Sequence, residues 1–352
     1  MNVSFNTVKP STLSKYKGCL TGGAIGDALG WPVEFKRWEG IQSKFGKDGI
    51  QDFILNKKGV AEVTDDTQMS MFTADGIIKG ALKKGTLKDM PDMSKVFESY
   101  KLWYQTQIGS KLQKGKGWIP EITDLYIKRA PGNTCMSALS SEIAGSMRNP
   151  LNNSSGCGGV MRTAPAGLLY NDDPELAFRV GAECAAITHG HPDGYLSAGV
   201  LSSMVAHLVN NKSLDEALNE SMHTLRKYKN NERVNDLLAT ARYAAYTDAD
   251  PRRIIGCLGE GWTGDEAIAI STYCAMKEPQ NFEKAAKMAV NHNGDSDSTG
   301  AILGNILGAH LGMEGLPKKW AEKVEMKEEL SKLAEDLYSK MDIHNAETRY
   351  PI

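Results

Sequence analysis

Apolar residues recur along this chain with the three-to-four spacing of a helix face, and strand-like alternation is scarce. Residues 69–82, "MSMFTADGIIKGAL", carry Met69, Phe72, Ile77 and Leu82 near that spacing. Residues 91–107 repeat it with Val96, Tyr100 and Trp103. The same pattern predicts helices over 177–189, 194–209, 213–228, 232–246, 265–276 and 281–292, and a last one over 320–341. Between them lie Gly-, Pro- and Asn-bearing segments that read as loops: "KLQKGKGWIP", "APGNT", "NPLNNSSGCGG" and "CLGEGWTGD". Long linkers, low-complexity tracts and fixed-period repeats are missing. The expected class is all-α, with one compact many-helix domain over residues 13–352. Residues 1–12 lack periodicity and read as an N-terminal extension that is dispensable or reaches a partner. Helices with Gly and Ala on several faces are expected to be buried, because small residues let backbones approach closely.

Composition narrows the function more than the fold. The 352 residues are 41% hydrophobic, ordinary for a globular protein, and 41 basic against 43 acidic residues leave a net charge of −2. A chain so balanced has no basic excess for nucleic acid and no acidic solvating tail. Cys19, Cys135, Cys157, Cys184, Cys257 and Cys274 form no C-x-x-C pair and no Cys/His zinc spacing, which fits reduced thiols. The first residues hold no apolar signal core, and no run of about 18 apolar residues marks a membrane span. A cytoplasmic protein with neither nucleic-acid nor membrane partner is therefore expected.

Two acidic clusters stand at helix mouths. "VTDDTQMSMF" brings Thr64, Asp65, Asp66 and Thr67 before one apolar run; "NGDSDSTGAILGNIL" brings Asp295, Ser296, Asp297 and Ser298 before another. Asp, Ser and Thr cap helix starts and complement the positive end of the dipole. One Asp suffices for that, whereas two at each of two sites invite cations. Oxygen-only donors suit Mg²⁺, Mn²⁺ or Ca²⁺ rather than zinc.

Other stretches read more ambiguously. "GCLTGGAIGDALGWPVEF" repeats Gly22, Gly23, Gly26 and Gly30 on an apolar background. No strand precedes it, so a dinucleotide-binding turn is rejected in favour of a close helix crossing. Packing explains Asp27 and Glu34 less easily, and Pro32 interrupts any helix joining them. "SSGCGGVMRTAPAG" is either an ordinary glycine loop or one whose N–H groups hold phosphate. In "THGHPDGYLSAG", His189 and His191 read as structural or substrate-contacting rather than as ligands. The aromatic of "GEGWTGDEA" either packs or stacks on a base or ribose.

In order, the blocks "GAIGDALGWPVEF", "TDDT", "APGNT", "GCGGVMR", "THGHPDGYL" and "GDSDST" resemble the ADP-ribosylglycohydrolase family over nearly the whole chain. "HPDGYL" beside "GDSDST" looks most like its arginine-specific branch, which includes dinitrogenase reductase-activating glycohydrolases. The resemblance implies a compact all-α fold with a dinuclear magnesium or manganese centre. By resemblance, Thr64, Asp65, Asp66, Asp295, Asp297 and Ser298 match the metal ligands; some branches carry Thr at the place of Ser298. Glu34 matches an acid held near the metals or over the substrate. Gly156, Gly158 and Gly159, with Met161, match a diphosphate-contacting loop. Thr134, His191, Trp262, Thr263 and Gly264 fall in substrate-lining segments.

The reaction so implied is hydrolysis of the bond between ribose C1″ and a modified arginine of an ADP-ribosylated protein, through an oxocarbenium-like transition state. Asp66 or Asp295 is the candidate base, with Glu34 positioning substrate or gating the site. Two alternatives remain open at this level. One is hydrolysis of O-linked ADP-ribosyl-serine. The other is an immunity role, binding as well as hydrolysing, against an ADP-ribosyltransferase toxin.

Overall fold

The computed structural model describes residues 10–340 and 348–352. The chain runs α1 (Thr12–Gly30), α2 (Trp38–Phe45), α3 (Asp65–Lys84), α4 (Met93–Gln107), α5 (Asn133–Ser140), α6 (Ala164–Leu169), α7 (Pro174–Ala186), α8 (Pro192–Val209), α9 (Leu214–Leu225), α10 (Glu232–Ala245), α11 (Pro251–Leu258), α12 (Gly264–Lys277), α13 (Phe282–Val290), α14 (Ser296–Leu311), α15 (Lys318–Ala321) and α16 (Lys327–Tyr338), with short 3₁₀ turns between some of them. Among the described residues, β-pairing is limited to isolated bridges. The all-α expectation holds.

The centre of the molecule is the antiparallel contact of α1 with α14. Both helices are buried almost all round. Gly18, Gly22, Gly26 and Gly30, one helical turn apart, face Gly308, Gly304, Gly300 and Ser296. A Cβ added at these four α1 positions would lie only 1.9–2.5 Å from the facing carbonyl oxygens. The glycine-rich stretch is thus a close helix crossing, as its composition implied. Gly26→Ala, whose added carbon would lie 1.9 Å from Gly300 O, is expected to cost about 3 kcal/mol or more through overpacking. A denaturant midpoint unchanged from wild type would contradict this.

This crossing positions the site, because it sets the C-terminal end of α1 against the first turn of α14. The start of α3 is tied to the same place. Asp27 of α1 is fully buried and accepts from Thr64 N at 3.0 Å, Thr67 N at 3.2 Å and the Thr67 hydroxyl. Burial nonetheless pushes its carboxyl up to about 6. Asp27 therefore caps α3 from another helix.

The structure differs from the periodicity reading in particular places. The expected helix over 320–341 is broken: α15 ends at Ala321 and α16 begins at Lys327, with Met326 left-handed at φ 60°. The reason is tertiary: Val324 is buried and forms a parallel bridge to Ala61, with Ala61 N donating to Lys323 O at 2.8 Å and Glu325 N to Ala61 O at 3.0 Å. Residue 341 lies outside the described residues. Helices α2, α5 and α11 were not anticipated; each has only 8 residues, too few for a clear period. Of the expected extension, residues 1–9 lie outside the described residues, while Ser11 already caps α1 and Thr12 belongs to it.

Candidate active site

The two acidic clusters meet. Thr64 is the N-cap of α3, its hydroxyl accepting from Asp66 N at 3.3 Å; Asp295 is the N-cap of α14, accepting from Ser298 N at 3.2 Å. Both motifs therefore do cap helices, and the spare carboxylates are what the convergence uses. Pro32 lies in a single 3₁₀ turn, Trp31–Val33, that ends α1 and delivers Glu34. Glu34, Asp295 and Asp297 each place a carboxylate oxygen within 4.8 Å of the other two. Asp65 and Asp66 face them from α3.

The electrostatics of this cluster are unfavourable without a cation. Burial and then the charge of Asp295 push Glu34 up to about 8. Burial is also the main cause for Asp65, which rises to about 8 although Gly132 N donates to it at 3.2 Å. Asp66 is held well above the carboxylate range by burial and by Asp27, Asp65, Asp295 and Glu34, all acids. Burial does the same for Asp297, with Asp66 and Asp295 adding to it. Asp66 Oδ2 and Glu34 Oε2 are buried without a hydrogen-bond partner. Like charges so placed, with orphaned oxygens among hard donors, fit divalent cations. Thr64, Asp65, Asp66, Asp295, Asp297 and Ser298 are the residues available to hold them.

The glycine loop and the tryptophan loop lie beside the cluster. Cys157 N donates to Trp262 O at 3.0 Å, Gly264 N to Ser155 O at 2.8 Å, and Gly156 and Thr263 form an antiparallel bridge. Asp295 N donates to Glu260 O at 2.9 Å, which fixes the tryptophan loop to the mouth of α14. Thr134, on α5, lies 3.2 Å from the Ser154 hydroxyl, and Met161 Sδ lies 3.6 Å from Ser298 Oγ. The glycines have a steric reason: a Cβ at Gly156 or Gly158 would come within 3.3 Å of the His189 ring. His191 instead caps α8, its Nδ1 accepting from Asp193 N at 3.2 Å, and its backbone N–H donates to Ser154 O.

Of four further residues at the site, Cys157 and Arg162 were not singled out from the sequence, and Asp27 and His189 were named without a settled role. Asp27 holds α3, as described. Cys157 contacts Asp295, with Sγ 2.6 Å from Oδ2. Arg162 is fully buried, donating to Thr188 Oγ1 at 2.7 Å and Cys184 O at 3.1 Å, with its guanidinium 4.4 Å from the Tyr100 ring centre. His189 is buried beneath the glycine loop; burial first, and then the Arg162 charge, push it down to about 3, so it is neutral near pH 7. The "GCGGVMR" and "THGH" blocks contain the last two, but nothing in their spacing shows that they pack together.

A hollow of about 500 Å³ lies at the opposite end of α3, against Ile78, Leu82, Leu169 and Tyr170. It is mainly apolar and offers none of the acids described, so chemistry rather than volume marks the site.

Residues 8–347 match the family model described as ADP-ribosylglycohydrolase. The ADP-ribosyl-[dinitrogen reductase] glycohydrolase of Rhodospirillum rubrum is 26% identical, over 91% of this chain and 93% of its own. The ADP-ribosylarginine hydrolase Tri1 of Serratia proteamaculans is 27% identical, over 93% and 80%. A solved ADP-ribosylglycohydrolase-related protein complex superposes with a TM-score of 0.64 over 94% of this chain and 99% of its own, at 22% identity, and so shares the fold. With the acid cluster and glycine loop in place, the chain belongs to the ADP-ribosylglycohydrolase family.

Proposed function

We propose that the protein hydrolyses the N-glycosidic bond between ADP-ribose and an arginine side chain of a modified protein, using two Mg²⁺ or Mn²⁺ ions. The observation that carries this reading is the meeting of Glu34, Asp65, Asp66, Asp295 and Asp297 at two helix starts, with two orphaned oxygens among them. The name of the ADP-ribosylarginine hydrolase relative supports the linkage, and that of the dinitrogen reductase relative supports a modified protein as substrate.

When bound, the ions supply positive charge for the ribose hydroxyls and acidity to a water. The chain's own residues do the rest. Residues 156–159 present a glycine turn to the diphosphate, seated against the His189 ring because no Cβ intervenes there. Glu34, with a free oxygen, orients the sugar over the acids. Asp66 Oδ2 has no partner and takes the proton of the attacking water. The water oxygen bonds to C1″, the C1″–N bond breaks with its electron pair going to nitrogen, and that nitrogen takes up the proton Asp66 accepted. The acid-rich mouth attracts the cationic guanidinium.

The test is incubation with arginine-ADP-ribosylated protein, with Mg²⁺ or with EDTA, and measurement of released ADP-ribose. Release only with metal is expected, with little from a serine-linked peptide. Equal release in EDTA, or release from serine alone, would overturn the reading.

A further inference from the structure

One aromatic at the mouth stands largely in solvent. Phe35, directly after Glu34, is 72% exposed and holds a left-handed φ of 60°. A non-glycine residue there is strained, and an apolar ring left in water gains nothing from folding. Its ring stacks on Trp262, with centroids 5.2 Å apart and planes 23° from parallel. Trp262 is itself partly exposed and donates from Nε1 to Glu260 at 3.2 Å, and Glu260 pairs with Arg37. The turn carrying Glu34 is thus clamped to the loop beside Asp295 by one aromatic stack and one ion pair. The rest of the Phe35 ring stays in solvent, one residue after Glu34.

We propose that Phe35, backed by Trp262, is the specificity-determining contact for the guanidinium that leaves the ribose. A planar cation stacks on an aromatic face, and neighbouring carboxylates raise its local concentration. Position distinguishes this from stacking of the adenine. Phe35 adjoins Glu34 and so the reacting bond, whereas the base of ADP-ribose lies beyond the diphosphate and a second ribose. The inference rests on the arginine reading above and adds to it the surface that recognises the arginine.

The experiment compares wild type with Phe35→Leu and Phe35→Tyr. The readouts are kcat and KM on an arginine-ADP-ribosylated peptide and, separately, affinity for ADP-ribose alone by calorimetry in the presence of Mg²⁺. Because Phe35 is exposed, both variants are expected to fold. Phe35→Leu keeps an apolar side chain but loses the π face. It is expected to lower kcat/KM on the peptide by about 3- to 30-fold, mainly through KM, the scale of one cation–π contact. ADP-ribose affinity is expected to stay at the wild-type value, and Phe35→Tyr to restore the peptide activity. Unchanged peptide kinetics in Phe35→Leu would overturn this inference alone. An equal loss of ADP-ribose affinity would also overturn it, because the ring would then hold the base. Wild type inactive on the arginine linkage would remove both this inference and the arginine reading.

Discussion

Asp297→Ala is expected to lower hydrolysis by about a thousandfold while leaving the metal-free protein at least as stable as wild type. The two halves of this expectation have one cause. Asp297 is buried within 4.8 Å of carboxylate oxygens of Glu34 and Asp295, and Asp66 acts on it from α3. In the ligand-free protein it is a source of repulsion, so its removal relieves the fold. With the proposed ions bound it would be a donor, so its removal would take ligand charge from them. Residues that weaken a fold for the sake of a site commonly behave this way. The checks are released ADP-ribose, bound metal per chain and the melting temperature in EDTA. An Asp297→Ala protein with full metal content and full turnover would show that the acids serve another purpose.

The second large effect is the response of stability to divalent ions and pH. Ions that bind only the folded acids stabilise by mass action, about 2.7 kcal/mol at a hundred times the dissociation constant. The melting temperature should therefore rise with added Mg²⁺ or Mn²⁺. Without metal, the sign of the pH dependence follows from the raised carboxyls. Glu34 goes from 4.5 to about 8 and Asp65 from 3.8 to about 8. Between about pH 4 and 8 the folded state then binds more protons than the unfolded chain, so these groups make stability fall as pH rises. In EDTA the melting temperature should drop between pH 6 and 8.5, and saturating metal should flatten the drop. A metal-free protein equally stable at both pH values, with no shift on adding metal, would contradict the cluster.

How much of this was legible beforehand depends on the range of the interaction involved. The long helices were readable because amphipathic spacing repeats over several turns: α3, α4, α8 and α10 lie close to where periodicity placed them. Both acidic motifs were readable as helix starts, since capping is a contact between residues two or three apart. The glycine spacing of α1 announced a close crossing, because a missing Cβ has few other uses inside a helix. The blocks that resemble the family were legible in their order along the chain.

What tertiary structure alone decided is which of these local features touch. Nothing in α1 identifies α14 as its partner, and the match between Gly26 and Gly300 exists only once the two backbones meet. Asp27 looks like a stray acid in an apolar helix until α3 arrives to be capped by it. The last helix was misjudged because its periodicity is uninterrupted, yet the bridge of Val324 to Ala61 breaks the helix over residues 322–326. The exposed, strained Phe35 has no sequence signature, because the ring it stacks on, Trp262, stands more than two hundred residues away in the chain. Caps, periods and small-residue stripes are set by neighbours a few residues away, so the sequence alone determines them. The acid cluster joins residues far apart in the chain, and only close packing of α1, α3 and α14 makes its repulsion real.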